Sequence, residues 1–219
     1  MFRLLPQIIA LLCLITILGC GGKSARRTGE PQKPVYEIAL PEVPATPAPL
    51  GSVGIMFCLD VSPSMNDAVQ GVPKIQTSKA ALKAVLRQIE EWSKDPANRD
   101  RLIKVGLIAF SGTADVIKPM QPFDLSALEA AVDQVRIGNA TAIGNAMVLG
   151  TQELLQAGVE NKALIVLTDG ENNRGVAPEL VVHALRNNWN NKGALTDDVK
   201  VFLIAYDIQA QIFDGVKQA

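Results

Sequence analysis

The sequence of 219 residues predicts a three-layer α/β fold: an open, mostly parallel sheet flanked by helices, preceded by a signal peptide and a proline-rich tether. Three observations predict it. Ile55-Met56-Phe57-Cys58-Leu59 and Leu164-Ile165-Val166-Leu167 are apolar runs without polar alternation, as expected of strands buried on both faces. Val199-Lys200-Val201-Phe202-Leu203-Ile204-Ala205 supplies a later strand of similar length. The segments between carry apolar residues at three- and four-residue spacing, so strands and helices alternate and right-handed crossovers are expected.

Leu4 to Leu18 is apolar apart from Pro6, Gln7 and Thr16, and it follows Arg3. The run falls short of the about 20 residues of a membrane-spanning helix and suits the hydrophobic region of a signal peptide. It ends Ile17-Leu18-Gly19-Cys20, which resembles the lipobox of bacterial lipoproteins, where cleavage precedes a cysteine that then carries lipid. The resemblance implies that residues 1–19 are removed and that lipidated Cys20 holds the chain on a membrane of the bacterial cell envelope. Lys23, Arg26 and Arg27 put more positive charge after the run than before it, which leaves an uncleaved signal anchor as the alternative. Gly21 and Gly22, with no Asp after the cysteine, point by resemblance to sorting in double-membrane bacteria to the outer membrane.

Residues 20–50 contain Pro31, Pro34, Pro41, Pro44, Pro47 and Pro49, which remove backbone donors and favour extended chain, so this segment is expected to be a tether. Tyr36-Glu37-Ile38-Ala39-Leu40 could be a short strand or docking segment within it, with plain linker the simpler reading. Cys13 would leave with the signal, and Cys58, alone in the first strand, is expected to be core packing, so no disulfide is predicted. A 48% hydrophobic content supports a core in residues 51–219, and a formal charge of -1 provides no large basic field, so nucleic acid is not expected as a partner.

The first strand is expected over 53–59, followed by a loop over 60–76. Ala81, Leu82, Val85, Leu86 and Ile89 predict a helix from Thr77 to Trp92, stopped by Asp95-Pro96-Ala97-Asn98. Leu102 to Phe110 is the second buried strand. Thr113 to Lys118, with Asp115 inside it, is expected at a sheet edge, ended by Pro119 and Pro122. Leu128, Ala131, Val132 and Val135 mark a helix over 125–135, and Ile143, Met147, Gly150 and Leu154 mark one that begins at Thr141 and runs to Gln156. A strand over 162–168 follows, then a helix over 178–190 primed by Pro178 and carrying Leu180, Val181, Ala184, Leu185 and Trp189. Ile208 to Lys217 can form one more helix. An open sheet of this kind often has a further strand and helix, so the chain is expected either to be truncated there or to supply its last edge differently.

The chemistry gathers at strand ends. Asp60, Ser62 and Ser64 follow the first strand, Thr141 opens a helix, and Asp169 ends the strand 162–168. Open α/β sheets place ligands at the carboxyl ends of their strands. Hydroxyl and carboxylate oxygens are hard ligands suited to Mg²⁺ or Mn²⁺, and no thiolate or imidazole stands among them to favour zinc.

With Asp60-Val61-Ser62-Pro63-Ser64-Met65 as a DxSxS motif, Thr141 at a loop-to-helix junction and Thr168-Asp169-Gly170 after a hydrophobic strand, the chain from Gly51 onward resembles von Willebrand factor A-type domains. The resemblance implies a metal-ion-dependent adhesion site. Ser62 and Ser64 would bind the ion directly, with Thr141, Asp60 and Asp169 binding directly or through water. It also implies a protein partner whose Asp or Glu side chain completes the coordination, the ion bridging the two. Two positions depart from the family pattern: Pro63, which disfavours a helical Ser62, and Gly138-Asn139-Ala140, where paired glycines are common.

Asn66 and Asp67 are expected in a solvated loop, Glu171, Asn172 and Asn173 in a polar turn beside the ion, and His183 on an exposed helix face. An enzyme is not expected. The first motif lacks the second aspartate of a haloacid-dehalogenase-type phosphotransferase, no glycine-rich phosphate loop is present, and no Ser-His-Asp set surrounds His183. The alternatives are a structural lipoprotein with a purely stabilising ion and a metal-assisted hydrolase.

Overall fold

A computed structural model describes residues 38, 41, 47–192 and 199–206. Along them run β1 (Val53–Asp60), a 3-10 turn (Pro63–Asn66), a small hairpin of β2 (Ala68–Val69) and β3 (Val72–Pro73), and α1 (Lys74–Lys94). There follow β4 (Ile103–Phe110), β5 (Ala114–Pro122), α2 (Leu125–Gln134), α3 (Ile143–Gln156), β6 (Asn161–Thr168), α4 (Pro178–Lys192) and β7 (Val199–Ala205).

Apolar residues on both faces of β1 put it in the middle. The described sheet is ordered β5-β4-β1-β6-β7, with β4, β1, β6 and β7 parallel and β5 antiparallel at one edge. Ile55, Phe57 and Leu59 pack with Leu82, Val85, Leu86 and Ile89 of α1 and with Leu128 and Val132 of α2. Met56 and Cys58 face the opposite layer, where Ile143, Met147 and Leu154 of α3 and Val181 of α4 meet them. Each such side chain contributes roughly 1.5–3 kcal/mol on burial, and the two layers together fix β1 against both register slip and rotation. The predicted three-layer, mostly parallel α/β architecture is therefore the observed one.

Several element ends differ from expectation, each for a local reason. Helix α1 begins at Lys74, three residues before Thr77, because the stretch expected as loop contains a hairpin. Gln70 (φ 52) and Gly71 (φ 82) turn the chain, Lys74 N–H donates to the Asp67 carbonyl at 3.0 Å, and Pro73 (φ -57) leads straight into the helix. At the edge, β5 passes through Pro119 to Pro122. Between the pairs Val105↔Gln121 and Leu107↔Lys118, Pro119 and Met120 oppose the single residue Gly106, a bulge that absorbs the missing proline N–H. The Met120 N–H thus released donates to Glu153 Oε2 of α3 at 3.1 Å. Helix α3 starts at Ile143, leaving Thr141 in the loop before it. Asp124, whose carboxylate accepts from Ala127 N–H at 3.0 Å, caps α2.

The Leu4–Leu18 run, Cys20, the Trp189 side chain and the expected helix 208–217 lie outside the described residues. Ile38 is described: it is half-buried and packs against the α3/α4 layer, so at that residue the tether touches the domain. Among the described residues no helix is long and apolar enough to cross a membrane.

Candidate functional site

Because β1 and β6 run parallel in register, with Leu59 opposite Leu167, the residues that follow each strand emerge side by side. Asp60 is fully buried there. Its Oδ1 accepts the Ser62 N–H at 2.7 Å and its Oδ2 accepts the Thr168 hydroxyl at 2.5 Å. Ser62 is extended (φ -63, ψ 163), as the following proline requires, and this turns its hydroxyl toward Ser64. The two serine hydroxyls lie 3.1 Å apart, and Ser64 Oγ donates to Asp169 Oδ1 at 2.8 Å. The second Asp169 oxygen accepts from Lys74 Nζ, the first residue of α1, at 2.9 Å.

Thr141 comes to the same place by a different route. Gly138 N–H donates to the Val61 carbonyl and Ala142 N–H to the Ser111 carbonyl, both at 2.7 Å, tying the loop before α3 to the ends of β1 and β4. Asn173 Oδ1 accepts the Thr141 N–H at 2.9 Å, while the Asn173 N–H donates to the Thr141 carbonyl at 3.0 Å. Asn172 extends the clasp, accepting from Gly144 N–H at 3.3 Å and donating to the Val176 carbonyl at 3.1 Å. A Cβ on Gly170 would stand 3.6 Å from Thr141 Oγ1 and 3.8 Å from Ser64 Oγ, so this glycine faces both hydroxyls. A Cβ on Gly144 would collide with the Val176 carbonyl, so only glycine lets the first turn of α3 approach that loop.

Burial pushes the Asp60 carboxyl above the ordinary carboxylate range, and the neighbouring Asp169 charge adds to the rise. Hydrogen bonds from Thr168, from the Ser62 N–H and from the Ser62 hydroxyl act in the opposite direction.

The structure thus gathers Asp60, Ser62, Ser64 and Asp169 through direct contacts and brings Thr141 alongside. Thr168, Lys74 and the clasping role of Asn172 and Asn173 escape sequence reasoning; the one available signal is that both asparagines come within four residues of the strand-ending Asp169, after Gly170 and Glu171. Asn66 and Asp67 are exposed, as is His183. Among the described residues no group of three or more His, Cys, Asp and Glu converges. Two carboxylates and three hydroxyls form an all-oxygen donor set that suits a hard cation, and the ammonium already seated on Asp169 shows that the position accepts positive charge.

A family profile described as "von Willebrand factor type A domain" matches residues 55–171. Comparison with curated proteins gave no match. Among solved structures, the conserved hypothetical protein BatB from Bacteroides thetaiotaomicron is 26% identical, with a TM-score of 0.50 over 69% of this chain and 65% of that one. Proximal thread matrix protein 1 from the mussel byssus, described with a zinc-occupied MIDAS motif, is 22% identical, with a TM-score of 0.58 over 76% of this chain and 39% of that one. The D319A mutant of the PilB minor pilin from Streptococcus sanguinis is 13% identical, with a TM-score of 0.51 over 76% and 61%. These last two likenesses concern the fold, and the chain spans less than two thirds of each of the three proteins.

Proposed function

The chain belongs to the von Willebrand factor type A domain family, and from that premise we propose that it is a divalent-cation-dependent protein-binding module of an exported lipoprotein, serving adhesion or the assembly of an envelope complex. Asp60, Ser62, Ser64, Thr141 and Asp169 would hold the ion, Mg²⁺ or Mn²⁺. When bound, such an ion would be held largely by neutral hydroxyls and would take a further oxygen ligand, the Asp or Glu of a partner protein. The residues themselves do the positioning: Thr168 orients the Asp60 carboxylate, Asn173 fixes Thr141, and Gly170 leaves room above the hydroxyls.

One observation carries this reading: the chain of contacts from Ser62 Oγ to Ser64 Oγ to Asp169 Oδ1, which joins the loops after β1 and β6 at a single point. A protein of similar fold, described with a zinc-occupied MIDAS motif, supports an ion at this place. The chain is a binding module and not an enzyme. Residues 1–19 would be its signal peptide, Cys20 its lipid anchor to the cell envelope and residues 20–50 its tether.

The test is a pull-down from solubilised envelopes and culture medium in Mg²⁺ and in EDTA, beside an Asp60→Ala, Ser62→Ala double variant checked for folding. A protein retained only by the wild type in Mg²⁺ is the expected result. If the same proteins, or none, bind in all three samples while Mg²⁺ still raises the melting temperature, the ion is structural and no partner carboxylate reaches it.

A further inference from the structure

We propose that Lys74 is the resident counter-ion of this site when no metal is bound, and that a divalent cation binds by displacing its ammonium from Asp169; this rests on the metal site proposed above. The side chain of Asp169 is fully buried, that of Lys74 is 13% exposed, and their charged atoms are 2.9 Å apart. Both Asp169 oxygens are engaged, one by the Ser64 hydroxyl and the other by Lys74.

Lys74 stands where a lysine is otherwise disfavoured. It is the first residue of α1, and the positive end of the helix dipole repels a cation at that position. The buried carboxylate offsets this repulsion, so the placement serves the site rather than the helix.

Charge balance then sets the order of events. Among the groups named, the Asp60 and Asp169 carboxylates outnumber the one Lys74 ammonium, an excess of negative charge. A divalent ion in place of the ammonium balances it, whereas ion and ammonium together leave an excess of positive charge in a largely water-excluded space. The lysine stem is long and its side chain already touches solvent, so the ammonium can leave by rotation of the stem while α1 stays in place. Lys74 is therefore a determinant of ion affinity that the ligand motif does not contain.

The experiment is calorimetric titration of Mn²⁺ into the full chain, wild type and Lys74→Met, with Lys74→Arg as a charge-preserving variant. A second measurement follows acetylation of Lys74 by mass spectrometry in the wild type, in EDTA and in Mn²⁺. Lys74→Met is expected to bind Mn²⁺ tighter by a factor on the order of ten or more, since a neighbouring positive charge has been removed. Lys74→Arg is expected to stay near wild type, and acetylation of Lys74 is expected to rise when Mn²⁺ is added. Mn²⁺ binding with no gain in Lys74→Met, or with Lys74 protected equally in both conditions, overturns displacement. If neither protein binds Mn²⁺, the metal site itself is wrong; Lys74→Met then still lowers the melting temperature in EDTA, marking a permanent ion pair. Should Lys74→Met not fold, the wild-type acetylation pattern decides alone.

Discussion

Asn173 and Thr141 exchange two hydrogen bonds across the site, side chain to backbone at 2.9 Å and backbone to backbone at 3.0 Å, although 32 residues separate them. The pair fixes the loop before α3, and with it the height at which the threonine hydroxyl is presented. Asn173→Ala removes the side-chain bond and leaves the Thr141 N–H without its partner, so a loss of roughly 1–3 kcal/mol is expected. Urea unfolding checks this. Unchanged stability would mean that water replaces the asparagine without loss.

Ala140, next to Thr141, has φ 56, a left-handed conformation that glycine adopts without strain. Ala140→Gly is expected to stabilise the chain by about 0.5–1 kcal/mol, the relief of strain being partly offset by greater freedom of the unfolded chain. The denaturant midpoint should rise at constant slope. A fall would show that the Ala140 methyl makes contacts worth more than the strain.

The raised carboxyl of Asp60 gives the ion-free chain a specific pH response. Below the ordinary value of 3.8 the group is protonated in both states. As pH rises, the unfolded chain releases its proton first while the folded chain retains it, so folding stability falls until the folded group has also ionised. In EDTA, Asp60→Asn should remove this downward contribution. The check is urea unfolding of both proteins over a pH series upward from 3.8, and parallel profiles would refute it.

Burial also pushes up the thiol of Cys58, whose Sγ–H donates to the Ala146 carbonyl at 3.6 Å inside the α3/α4 layer. Iodoacetamide at mildly alkaline pH is therefore expected to leave the Cys58 peptide unmodified in the native chain and to label it in denaturant. Rapid native labelling, read by mass spectrometry, would mean that α3 opens locally far more often than its packing allows.

What the sequence reveals and what it hides follow from the range of the forces involved. β1 and β6 are legible because burial on both faces demands uninterrupted apolar residues, and the three-element motif is legible because each piece sits at the end of such a strand. The start of α1 is not, since it depends on a hairpin whose turn includes a non-glycine residue, Gln70, with positive φ. Pro119 predicts a strand end only while Met120 lacks another acceptor, and Glu153 provides one from 33 residues away. The Lys74–Asp169 pair spans 95 residues, and nothing local in a helix-opening lysine announces it. The five oxygen-bearing residues come from local motifs, whereas the groups that orient them come from tertiary contacts.

The contacts between Ser64 and Asp169 and between Thr168 and Asp60 close loops of 105 and 108 residues. No partially made chain lacking β6 contains the site, and closing loops of that length is slow compared with forming any one helix. This separates synthesis from use: until β6 is in place the oxygens are dispersed along the polymer, with no preformed cradle to capture cations. The site becomes a record of completed folding, and any ligand that requires all of it is reserved for molecules whose sheet has closed through β6.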